Sequence, residues 1–239
     1  MSLQISNILG MKRPDIRISA NFDNLPHDDF TRTKIEVIDI HPWSAFNFRN
    51  ISHAYGDLLG EKSTIINAIP EEIRCLSHAD IASVFYRSLF NIIGPSIEKG
   101  SATLRERLKT TTALRWGNDS TLRSSTEENR HSLEFGSMCP VIVFYDDNIV
   151  QDEAPWHRDD NFEGSFRPFL ATGIVIPSRM WKSKSLAVAD PDESPELGPV
   201  EQLATCARKT NTSLAFILGD KDVVLLQFFR AEGGGTGVY

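Results

Sequence analysis

Apolar positions along this chain follow two patterns, and the first gives way to the second near residue 135. Before that point the clearest spacing is helical. In "SHADIASVFYRSLFNIIG" (77–94), Ile81, Val84, Phe85, Leu89, Ile92 and Ile93 recur at the 3.6-residue period of one helix face. Ser77 can cap the first N–H groups, and Gly94-Pro95 is expected to stop the helix. "SATLRERLK" (101–109) predicts a second, short and exposed helix. "KIEVIDI" (34–40) places Ile35, Val37 and Ile40 near alternate positions, which predicts a strand, and His41-Pro42 ends it.

After Phe135 the runs become short, apolar and rich in β-branched residues. "MCPVIVFY" (138–145), "ATGIVIP" (171–177), "TSLAFILG" (212–219) and "DVVLLQFF" (222–229) are each bounded by Gly, Pro or Asp. Such spacing predicts strands of a sandwich or barrel. "ADPDESPELGP" (189–199) reads as an acidic, Pro-rich loop, and "GNDSTLRSSTEENR" (117–130) as a polar, mobile connection. Residues 1–33 are polar and broken by Pro14 and Pro26, so a loosely packed arm is expected there, with 34–239 as a single domain. Helices first and strands afterwards make the fold class α+β.

Composition narrows the function. The 239 residues can bury a real core, and 41% hydrophobic with 24% charged is ordinary for a globular domain. The net charge is −7 and no Lys/Arg cluster stands out, which argues against a nucleic-acid partner. Three Cys (Cys75, Cys139 and Cys206) are too few and too sparse for a disulfide framework. The opening apolar stretch is short and its basic residues come after it, unlike a signal peptide. No run approaches the roughly 18 apolar residues of a membrane span. A cytoplasmic location, with no membrane partner, is therefore expected. Nothing in the sequence sets the oligomeric state.

The chemistry concentrates in "APWHRDDNFEG" (154–164). His157 and Asp159 are two residues apart, and on an extended backbone such positions project to one side. A ring nitrogen and a carboxylate oxygen can then share one metal ion. This is two thirds of the two-His, one-carboxylate set of non-haem Fe(II) oxygenases. No His follows His157 in the chain to supply the third ligand. The plainer reading of His157 is a surface imidazole beside solvated acids.

Three short segments in order extend the picture: Pro155 to Asp160, then Ala171-Thr172 through Ile176-Pro177-Ser178 to Trp181, then Glu232-Gly233-Gly234-Gly235. Together they resemble the phytanoyl-CoA dioxygenase family, in particular its fungal secondary-metabolism branch. They cover the C-terminal third of the chain. The resemblance implies a helical N-terminal half packed on a double-stranded β-helix (jelly roll) in the C-terminal half, complete or cut short. It implies oxidation of a small hydrophobic intermediate with Fe(2+), O2 and 2-oxoglutarate. Carried over by residue, His157 and Asp159 would be metal ligands, and Thr172 would lie near 2-oxoglutarate. The glycine run would let the backbone turn beside the metal. Trp156 would wall the substrate pocket or else pack under the sheet.

The chain departs from the family at several points. Glu232 stands where the distal His is expected, and would complete the site as a carboxylate. No Arg or Lys follows Arg230 to hold a co-substrate carboxylate, and Ala154 replaces a frequent Gln. These losses keep a second function open: a catalytically degenerate homologue that binds a small molecule, or a redox-neutral isomerase or accessory protein.

Other candidates are weaker. Cys139 with His131 could form a nucleophile pair, but a buried structural Cys is the simpler reading. "EGGGTGVY" lacks the following helix that a phosphate loop needs. "DDNIVQDE" has Val150 and Gln151 where a Ca2+ loop needs an oxygen ligand and Gly. Trp43, Phe46, Phe48 and Tyr55 read as packing rather than as a nucleobase platform.

Overall fold

The computed structural model describes residues 2–11, 14–19, 35–64, 72–76, 78–85, 91–109, 114–117, 142–146, 169–186, 197–209, 212–232 and 234–239. In chain order the first elements are β1 (Ser2–Gln4), α1 (Ile5–Leu9), β2 (Asp15–Ile18), β3 (Val37–Ile40), α2 (Phe48–Gly60), β4 (Lys62–Thr64) and β5 (Glu72–Cys75). Then come α3 (His78–Val84), α4 (Asn91–Leu108), β6 (Leu114–Gly117), β7 (Ile142–Asp146) and β8 (Phe169–Val175). The last are α5 (Ser183–Leu186), α6 (Gly198–Lys209), β9 (Leu214–Leu218), β10 (Val223–Arg230) and β11 (Thr236–Val238). The chain is a mixed α/β protein. It divides into two compact units, residues 1–23 with 43–115, and 24–42 with 116–239.

In the first unit, β1 pairs antiparallel with β4, and β2 pairs parallel with β5. The arm expected over 1–33 thus contains, among its described residues, two paired strands and a short helix. Ile5 and Ile8, three apart on α1, are buried at 3% and 2% exposure and give this segment an anchor. The apolar face anticipated for 77–94 is buried at Ile81, Val84, Phe85 and Ile92. Its boundaries differ from expectation. Pro95 does not stop a helix; it lies inside α4, as its fifth residue. As the fifth residue it stands just past the N–H groups that lack an intrahelical partner, so it forgoes one bond, to the Asn91 carbonyl, and the helix continues. The segment 101–109, expected as a separate helix, is the continuation of α4.

The second unit is built on a seven-stranded sheet in the order β3-β11-β10-β9-β8-β7-β6. Among the described residues the sheet is open, with β3 and β6 at its edges, and forms no closed barrel. All four strands expected after Phe135 are present as β7, β8, β9 and β10. Neighbours run antiparallel at β7–β8, β9–β10 and β10–β11, and parallel at β8–β9 and β3–β11. A parallel neighbour needs a crossover, and the chain between β8 and β9 supplies one through α5 and α6.

Helix α6 covers one face of this sheet. Val200, Leu203, Ala204 and Ala207 fall at i, i+3, i+4 and i+7 and are buried to 3% exposure or less. Val200, Leu203 and Ala204 pack in one cluster with Ile174, Ile176, Ala215, Ile217, Leu226, Val37, Val238 and Trp181. Pro199 in the first turn suits a helix start, where its fixed φ is already helical. Thr205 ties α6 to the strand edge: its Oγ1 accepts from the Ile35 N–H at 3.0 Å and donates to the Glu201 carbonyl at 2.9 Å.

On the opposite face, Val175, Phe216 and Leu218 are also buried. The Phe216 ring lies over Gly173, where an added Cβ would come within 2.1 Å of the ring. Phe144 meets Phe216 edge-on, with centroids 5.8 Å apart. A strand buried on both faces reads as an unbroken apolar run, which is why "LAFIL" is legible as β9.

Candidate functional site

Strand directions fix which loops share an end of the sheet. β8 and β9 run together, so Phe169 and Leu214 begin at one end. β7 runs against β8, with Tyr145 opposite Phe169, so Asp146 finishes at that same end. β10 runs against β9 and finishes there at Arg230, opposite Thr236 of β11. Among the connections that meet this end are residues 147–168, which leave from β7 and rejoin at β8, and the turn 231–235. β8 and β10 are separated only by β9, about 10 Å from strand to strand.

The turn is closed by the Ala231 N–H donating to the Gly235 carbonyl at 2.9 Å and the Gly234 N–H donating to the Ala231 carbonyl at 3.1 Å. Gly234 has φ +99°, which favours glycine. The next glycines act differently. A Cβ on Gly235 would meet Ile38 at 2.1 Å, and one on Gly237 would meet the Phe229 ring at 2.3 Å. They let β11 slide beneath neighbouring side chains.

Glu232 lies in this turn and is exposed. Among the described residues its carboxylate has no hydrogen bond or ion pair. His157, Asp159 and Trp156 lie outside the described residues, as do Cys139 and His131. Among the described residues no group of three His, Cys, Asp or Glu side chains is placed to hold a metal ion.

Thr172 sits on β8 opposite Val143 and Ala215, on the face that α6 covers. It has no exposed surface, and its Oγ1 has no hydrogen-bond partner among the described residues. A buried hydroxyl in that state is destabilising by about 1–3 kcal/mol.

A second His–carboxylate pair escaped the sequence reading. His41 Nε2 donates to Asp39 Oδ1 at 3.0 Å. The imidazole stacks on Phe229, with centroids 6.1 Å apart, and lies 5.9 Å from the Tyr239 ring. The sequence signal was present: Asp39 and His41 are two apart on an extended segment, the same spacing as His157 and Asp159. His41 was read only as the end of a strand.

At the other end of the sheet, two carboxylates of the β9–β10 hairpin are engaged. Asp220 accepts from both the backbone N–H and the Oγ of Ser178. Asp222 accepts from Ser183 Oγ. These bonds pin the segment after β8, which seats Trp181 in the core.

Cys75 and Cys206 are buried and form no disulfide among the described residues. Burial, and then the Asp80 carboxylate, push the Cys75 thiol above its ordinary range, which keeps it protonated and unreactive. Among the described residues, no helix is long and apolar enough to cross a membrane. No family model matches the chain, and no curated protein or solved structure matches it.

Proposed function

We propose that the chain is a divergent Fe(II)/2-oxoglutarate-dependent dioxygenase that oxidises a small hydrophobic intermediate, as in the fungal secondary-metabolism branch it resembles. The observation that supports this reading is topological. The connection carrying His157 and Asp159 is anchored by strand ends at the same end of the sheet as the turn carrying Glu232. Residues separated by more than 70 positions thus belong to connections that start from one end of the sheet.

In this reading His157, Asp159 and Glu232 hold Fe(2+), a nitrogen and oxygen donor set that suits the ion. Glu232 meets its part of the requirement, being exposed and unengaged among the described residues. The metal with 2-oxoglutarate supplies oxygen activation. The chain's own task is to orient the substrate, with Trp156 as a wall, and to exclude water. The Thr172 hydroxyl, unpaired among the described residues, suits a bound carboxylate, but a co-substrate reaching it must enter between β8 and α6. The jelly roll belongs to the same reading. Its second sheet would pack on the face that holds Phe216 and Leu218, where Val223 and Leu225 are 51% and 40% exposed.

A second reading, a non-catalytic homologue that binds a small molecule or acts as a redox-neutral isomerase, is favoured by one observation. A carboxylate, Glu232, stands where the resemblance expects the distal His. Anaerobic addition of Fe(II) and then 2-oxoglutarate separates the two. The oxygenase reading requires a weak visible charge-transfer band and succinate formation under O2. Absence of both leaves the second reading.

A further inference from the structure

We draw no further inference here: the strongest candidate, the aromatic surface patch of Trp43 and Phe46 before α2 with Phe48 and Tyr55 on it, Phe48 being 80% exposed, is unpartnered and nothing in the structure shows what covers it.

Discussion

The two ends of the seven-stranded sheet treat their carboxylates in opposite ways. Where β8 finishes, Asp220 and Asp222 are bonded to Ser178 and Ser183 and hold a turn in place. Where β8 begins, Glu232 sits exposed in a glycine-rich turn with no partner among the described residues. A carboxylate that already accepts hydrogen bonds must give them up to bind anything else, at a cost of about 1–3 kcal/mol. One left to water gives up nothing of the fold. Asp220 and Asp222 are engaged in holding the fold, and among the described residues Glu232 is not.

The largest expected effect lies between the two ends and calibrates the rest. Phe216→Ala should destabilise by about 3–5 kcal/mol in urea unfolding, because the ring is buried against the β8 backbone. Gly173→Ala should be destabilising in the native background and much less so beside Phe216→Ala. Additive losses would mean that the ring and the glycine are not in contact.

Next comes the bonded end. Asp220→Ala leaves the Ser178 N–H and hydroxyl without their acceptor, and a loss of about 1–3 kcal/mol is expected from denaturant midpoints. A neutral result would erase the contrast between the ends.

Thr172→Val should be stabilising, by about 1 kcal/mol, since it removes a buried hydroxyl with no partner among the described residues and keeps the side-chain shape. A clear destabilisation would show that the hydroxyl is bonded in solution. The smallest effect is expected at the open end: Glu232→Gln should leave stability within about 0.5 kcal/mol, as for exposed positions in general. Its effect should fall on metal binding, read by Fe(II) titration. A large stability loss would make Glu232 structural and end the comparison.

The sheet was legible where burial on both faces produced an unbroken apolar run, as in "LAFIL"; "VVLLQFF" was legible by its apolar, β-branched content although one of its faces is exposed at Val223 and Leu225. It was not legible where glycine made a strand possible. β11 contains Gly237, and glycine is a poor strand residue by propensity. Here it is required, because Phe229 occupies the space of a side chain. Helix α6 was hidden by polar Glu201, Gln202 and Thr205 among its apolar positions, and by the reading of Gly198-Pro199 as the end of a loop. Pro95 misled because a helix can run through a proline at the loss of one backbone bond, as α4 does. Of the candidate site, Glu232 and Thr172 could be placed. The H-x-D pair rests on chain connectivity, and the analogous Asp39–His41 pair shows that such spacing also arises at a sheet edge with aromatic neighbours.

The convergence of residues 157 and 232 is the step on which the functional proposal stands. It can be measured in the full chain by pulsed electron paramagnetic resonance, with spin labels on His157→Cys and Glu232→Cys in a background where native Cys residues are replaced. The expected result is a narrow distance distribution at the short limit of the method. A long or broad distribution would contradict a shared metal site and leave Glu232 as a solvated turn residue.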